Sequence, residues 1–327
     1  MEVKKFLRAF AVVIVLIYIM DFLIGSALKW LYQNQRSGYL YRSNYCIDST
    51  HSNYLVIGSS RANHHYDSRT FEKELNDSFY NCGRDGQNII YSCAMASAIV
   101  HRYKPKLIII DIRPNEFTMR DEDKLSSLLP YHNNPSIKPF LKYYSQYEDL
   151  KLLSHIYPYN SLLASLIAGV SGKNMGIEDY HGYIRLNGVL QNKSMVEFRE
   201  KGQVDSMKLE AFTELLSLLN EKQIRTFVII SPLYEKYEST LTARISSNVC
   251  SRYPSVKFLN FADTALFKDF ELYKDQTHLN QSGAKLFSMA IAKRIKSLNT
   301  ENLVIRRRDE VVKGKDLKNP GLTVYRD

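Results

Sequence analysis

The 327-residue chain is short of several features that would send its function elsewhere. Its four cysteines, Cys46, Cys82, Cys93 and Cys250, have no Cys-x-x-Cys spacing and no histidine cluster beside them, so no metal site is indicated. Buried free thiols are expected, the alternative being a disulfide of undetermined pairing if the domain is exported. There is no internal period, which excludes a repeat array. A composition that is 45% hydrophobic and 24% charged excludes disorder. The net charge of +10 favours anionic partners, but no long basic block carries it. The densest run, Arg306-Arg307-Arg308, is followed at once by Asp309 and Glu310, so a basic solvated surface near a membrane is expected and nucleic-acid binding is not. A single Trp stands against 23 Tyr, a mild bias toward sugars or other polar ligands.

One long apolar run is present. Phe10 to Leu28 is interrupted only by Asp21 and ends at Lys29. About 20 apolar residues span a bilayer as a helix. Lys4, Lys5 and Arg8 precede the run, which places the N-terminus in the cytoplasm and the rest outside. Asp21 is costly at the bilayer centre but lies in the far half, within reach of the interface. A cleaved signal peptide is the competing expectation, with Gly25-Ser26-Ala27 as its small-residue site. A buried core helix fits less well, because the run is apolar on every face.

Residues 29–53 are polar and Tyr-rich, as a juxtamembrane connector would be. Then Tyr54-Leu55-Val56-Ile57 ends at Gly58, the pattern of a buried parallel strand feeding a loop. Further strands are expected at Ser78–Asn81, Leu107–Ile110, Phe227–Ile230 and Val256–Leu259. Helices are expected at Asn88–Tyr103, from about Asp205, and at Gln281–Leu298. Strands alternating with helices imply an α/β domain with a parallel sheet of about five strands covered on both faces. The organisation expected is an anchor over 1–28, a connector over 29–53, the α/β domain over 54–300, and a charged tail over 301–327. An insertion at about 118–204, with apolar helical stretches at Leu150–Ile156 and Ser161–Val170, is expected to carry substrate recognition.

Sites in such sheets form at the carboxyl ends of the strands. Gly58-Ser59-Ser60, Gly83 to Gly86 and Asp111 to Asn115 all follow strands. A serine hydroxyl needs a base to become a nucleophile. The candidate base is His278 in Asp275-Gln276-Thr277-His278, where Asp275 can hold one ring nitrogen and leave the other facing Ser60. Donors for a developing oxyanion would be the Ser60 amide, the Gly86 amide and the Asn115 side chain. Each has a blander alternative. Ser60 could cap a helix, with Ser59 the rival nucleophile. Asp275 and His278 could be structural or a metal pair, Asn115 could cap a turn, and Cys82 could pack at a strand end. His64-His65 is expected to be a solvated pair. Arg61, Arg84 and Arg113 fall on one sheet edge, as surface charge or as a pocket for a carboxylate or sugar acid.

These segments together resemble the SGNH/GDSL hydrolase superfamily. VIGSSRA resembles its first block, NCGRDG its second, PKLIIIDIRPNE its third and DQTHLNQSG its fifth. The resemblance spans about 54–118 and 222–298 and implies a three-layer, flavodoxin-like fold. It also implies Ser60 as nucleophile, Gly86 and Asn115 in the oxyanion hole, and Asp275 with His278 completing a triad. Ser59 stands where the first block has Asp, and Arg113-Pro114 where the third has small residues. The Gly-Ser-Ser form is similar to the extracytoplasmic acyl-transfer branch, whose members modify polysaccharides or teichoic acids. The implied activity is ester hydrolysis or O-acyl transfer on an acylated saccharide or other ester, without a cofactor. A membrane protein supplying the acyl group is a candidate partner. The alternative is a catalytically silent carbohydrate-binding component, if Arg113 crowds the site.

Overall fold

In the computed structural model, which describes residues 2–119, 125–143, 147–172 and 179–316 (299–316 by backbone alone), the apolar runs become the strands of one parallel sheet. The chain begins with α1 (Glu2–Gln33) and α2 (Gly38–Asp48). It continues through β1 (Tyr54–Ile57), α3 (Ser60–His65), α4 (Ser68–Leu75), β2 (Phe79–Asn81), α5 (Ile89–Arg102) and β3 (Leu107–Asp111). Among the described residues, the stretch that follows holds short elements, including α6 (Lys138–Leu141), α7 (Glu148–Lys151), α8 (Leu163–Val170), β4 (Asp179–Tyr180), β5 (Tyr183–Ile184) and β6 (Val196–Glu197). Alternation resumes with α9 (Ser206–Glu221), β7 (Arg225–Ile230), β8 (Glu235–Lys236), α10 (Leu241–Cys250), β9 (Val256–Asn260) and α11 (Gln281–Asp316).

The main sheet has the order β2-β1-β3-β7-β9, every pair parallel. The chain winds outward from β1 to one side and then, through β3, to the other. Such a reversal opens a crevice beyond the carboxyl ends of the two central strands. Alternate residues of each strand face opposite layers. Leu55, Ile57, Ile108, Ile110 and Val228 pack with Ile99 of α5 and Phe212 of α9. Val56, Ile109, Phe227 and Ile229 pack with Phe71 of α4 and Phe287 and Ile291 of α11. Every residue of β3 is buried. At roughly 1.5–3 kcal/mol per buried large apolar side chain, such strands make a rigid platform for whatever follows them. The helices that cover them are capped by side chains: Asn88 accepts from the Tyr91 amide at the start of α5, and Asp205 from the Met207 and Lys208 amides at the start of α9.

Three elements differ from expectation. The polar stretch 29–53 is no mere connector. α1 continues to Gln33, and α2 places Cys46 and Ile47 in the core beside α5. Its polarity reflects a half-buried helix whose outer face lines a cavity. The segment 152–156 is a turn and not a helix, and its last two amides, of His155 and Ile156, are taken by Asp21, as described below. α11 runs on as backbone helix to Asp316, past the expected end at Leu298. All four cysteines are buried and unbridged.

Candidate active site

β1 delivers Ser60 to the crevice. A Cβ on Gly58 would stand 2.6 Å from the Asp111 carbonyl oxygen, so only glycine lets the end of β1 pass that close to β3. The chain then turns through Ser59 into α3, and Ser60 is the first helical residue. Its amide is therefore one of the donors that a helix start leaves without an intrahelical acceptor. Ser59 is buried, whereas Ser60 is half-buried and turned toward His278.

Ser60 Oγ lies 2.8 Å from His278 Nε2. On the other side of the ring, Nδ1 is 3.0 Å from both carboxylate oxygens of Asp275. The carboxylate also accepts from the amides of Thr277 and His278, each at 2.9 Å. That pattern puts the ring proton on Nδ1 and leaves the Nε2 lone pair to accept the serine proton. Partial burial pulls the Asp275 carboxyl upward, but its bonds to His278 and to the two amides hold it well below the usual carboxylate range. It stays ionised and can support an imidazolium. The carboxylate is half-exposed, so water screens part of that support.

A second histidine fixes the loop that carries the first. His65 is fully buried, where a solvated pair had been expected, and His64 is buried too. The Leu279 amide donates to His65 Nε2 at 3.0 Å, so His65 Nδ1–H donates to Ser231 Oγ at 2.9 Å. Ser231 follows β7 and also accepts from Arg61 Nε at 3.1 Å and Nη2 at 2.8 Å. Burial, and then the nearby Arg61, His278 and His64, push the His65 pKa well below its ordinary value, so the ring is neutral. Asn280 closes the loop: its amide nitrogen donates to the Glu271 and Gly188 carbonyls, and its oxygen accepts from Ser282 and Gly283 at the start of α11. The two residues that follow His278 are thus both anchored.

No family model and no curated protein matches the chain. Among solved structures, it is similar to a Streptococcus pneumonia protein provisionally described as a platelet activating factor. The two share 13% identity over 84% of this chain and 98% of that one, with a TM-score of 0.41. A likeness of that depth carries no weight for the site, which stands on its own geometry.

The other expected site residues fare differently. Gly86 sits in the turn between β2 and α5 with a φ of 71° and open space around it. Asn115 begins a turn after β3, where its carbonyl accepts from Thr118 and Met119. Each of the three arginines is engaged by protein partners. Arg61 is buried against Ser231, with the Asp111 carboxylate 3.8 Å away. Arg113 is folded onto Glu116 by two bonds of 2.7 and 2.9 Å. Arg84 donates to Tyr91 and Ser127, with its guanidinium 4.2 Å over the Tyr39 ring. Among the described residues, no three His, Cys, Asp or Glu side chains gather as metal ligands.

Beside the triad lies a cavity of about 770 Å³ between α2, α8 and the β4–β5 hairpin. Tyr39, Tyr41, Tyr45, Tyr80, Arg84 and Asp85 are among its walls. Asp85 couples it to the triad. Its carboxylate is 3.2 Å from His64 Nε2, and the His64 ring meets the His278 ring edge-on at 5.9 Å. Burial raises the Asp85 carboxyl, but His64 and then Asn63 and Arg42 outweigh it and bring it down to about 2. Sequence inspection missed the cavity because α2 had been taken for a connector. It missed Ser231 although a serine stopping the fourth main-sheet strand was a usable signal.

Proposed function

We propose that the chain is a serine-dependent, SGNH-like ester hydrolase or O-acyltransferase acting on an acylated cell-envelope or exopolysaccharide substrate. The observation that carries this is the unbroken hydrogen-bond chain from Ser60 through His278 to Asp275. Ser60 Oγ attacks the acyl carbonyl while His278 Nε2 takes its proton. The imidazolium, held by Asp275, then protonates the departing alcohol. The Ser60 amide, the Gly86 amide and the Asn115 side chain are the proposed donors to the tetrahedral oxyanion. In the second half, His278 activates water or a sugar hydroxyl to release the acyl group from Ser60.

Substrate class follows from the cavity. Tyrosine faces stack on sugar rings, and four tyrosines line the cavity. Its volume is that of a site for a few sugar units. No cofactor takes part in this scheme. α1 anchors the protein, with Lys4, Lys5 and Arg8 on the cytoplasmic side and the α/β domain outside. A membrane partner that donates the acyl group would meet the domain there. The silent carbohydrate-binding alternative calls for Ser60 crowded away from His278, and the 2.8 Å bond between the two favours the catalytic reading.

Hydrolysis of p-nitrophenyl acetate by wild type and by Ser60→Ala tests the proposal. Activity lost in a variant that keeps its circular dichroism and melting profile is the expected result. Equal rates in the two would reject Ser60 as nucleophile. Adding an oligosaccharide acceptor and following acyl transfer by mass spectrometry separates transferase from hydrolase.

A further inference from the structure

α1 offers a measuring stick for the bilayer. With Arg8 held at one interface, Ala9 to Met20 rise only about 18 Å at 1.5 Å per residue, against about 30 Å of hydrocarbon. The lipid must therefore reach well past Asp21, to about Lys29. Yet the domain already grips α1 at Asp21. Its carboxylate accepts from Ser154 Oγ at 2.6 Å, the His155 amide at 2.6 Å and the Ile156 amide at 3.3 Å. Below it, the His155 ring meets Phe22 at 5.2 Å and Tyr18 at 6.0 Å, both edge-on. At Gly25 a Cβ would stand 2.4 Å from His155 Cβ, so the turn is pressed against the helix where only glycine admits it.

We propose that the segment Tyr147 to Ile156 is a second membrane contact, carried by α1 into the far leaflet, where Leu153 faces lipid. The inference rests on α1 being an uncleaved anchor. Leu153 is 70% exposed, Leu150 68% and Tyr147 60%, which is costly in water and favourable in acyl chains. Lys151, on the same turn, is paired with Glu148 at 2.9 Å, so its charge is balanced within the protein. The Asp21 bonds then serve both partners. An ionised carboxylate at that depth needs donors, and non-helical backbone at that depth needs acceptors. Each supplies what the other lacks. An acidic residue in the middle of an apolar run is thereby explained, as is Gly25, which a signal-peptide cleavage site would explain less fully. A spanning helix alone leaves the domain free to swivel, whereas a second contact fixes its tilt and holds the cavity at the end of α1 close to the lipid surface.

The test uses the full chain in proteoliposomes, with single cysteines carrying an environment-sensitive nitrobenzoxadiazole dye at Leu153→Cys, Ile14→Cys or Ser251→Cys. The native cysteines are buried and do not compete in the folded protein. The Leu153→Cys probe is expected to show blue-shifted emission, quenching by lipids spin-labelled along the acyl chains, and protection from aqueous iodide. Adding Asp21→Ala is expected to return that probe to water. Ile14→Cys should be quenched by deep spin labels and Ser251→Cys by iodide. If Leu153→Cys behaves like Ser251→Cys while Ile14→Cys stays in lipid, the anchor holds and this inference is wrong. Protection of Leu153→Cys from both quenchers would mean that protein covers it, which also overturns the inference. Ile14→Cys in water would remove the anchor itself, and the inference with it.

Discussion

Asp275 and Asp21 are two carboxylates that each gather donors from one short turn. Asp275 takes the amides of Thr277 and His278 and the ring of His278. Asp21 takes the Ser154 hydroxyl and the amides of His155 and Ile156. Electrostatically they do similar work, pinning a turn by charge-assisted hydrogen bonds. They differ in what is pinned. One donor of Asp275 is a titratable ring whose far nitrogen touches a hydroxyl, so the brace becomes a means of moving a proton. The donors of Asp21 are a hydroxyl and two backbone amides, none of which titrates near neutral pH, so its brace holds position and nothing more. A carboxylate that collects amides is structural until one of its donors can itself exchange a proton with a nucleophile.

That contrast can be broken by mutation. Asp275→Asn is expected to lower kcat on an ester by about 10³- to 10⁴-fold, because the amide no longer stabilises the imidazolium or fixes its tautomer. Asp21→Asn, in the same proteoliposomes, is expected to leave kcat within about threefold, since it touches no reacting group. Equal losses in the two would erase the distinction.

The same difference explains what could be read from the chain. Asp275 and His278 are three residues apart, so their pairing is local and visible as Asp-x-x-His. The strands were visible because fully buried parallel strands are short apolar runs, and the fold class followed from their alternation with amphipathic helices. Asp21 and Ser154 are brought together only by tertiary structure, and nothing in either segment announces the other. His65, Ser231 and Asn280 were hidden for a related reason: each acts by a bond to a distant element. Polar residues buried as a network look, in one dimension, like loop residues. Arg61 and Arg113 misled for the converse reason, since charge near a site does not reveal that its partners lie inside the protein.

His65 allows a smaller and sharper test. His65→Ala leaves the buried Leu279 amide without its acceptor and removes one donor from Ser231, and is expected to cost about 2–4 kcal/mol of stability. By loosening the His278 loop it should also reduce kcat by about 10- to 100-fold with little change in KM. His65→Gln, which can both accept and donate, should recover most of each. Full activity in His65→Ala, once it is shown to be folded, would make the residue merely structural.

The pH dependence follows from the same ring. The native His65 pKa is depressed, so below about pH 6.5 the unfolded chain binds a proton that the folded chain refuses. Stability therefore falls as pH falls through that range, at up to about 1.4 kcal/mol per pH unit for this group. Melting temperatures between pH 7 and 5 should decline less steeply in His65→Gln than in wild type. Parallel slopes would contradict the assignment.

The mildest effect is expected at the cavity. Tyr41→Ala should raise KM for a saccharide ester by about three- to tenfold, the worth of one stacking contact. It should leave hydrolysis of p-nitrophenyl acetate unchanged. A loss shared by both substrates would detach the cavity from saccharide recognition.

The most direct test of the central claim is fluorophosphonate labelling of the full-length protein in proteoliposomes, with the adduct mapped by mass spectrometry. The triad predicts one adduct on Ser60, abolished in Ser60→Ala and in His278→Ala, both still folded. An adduct on Ser59 or elsewhere, or folded wild-type protein that takes no label, would contradict it.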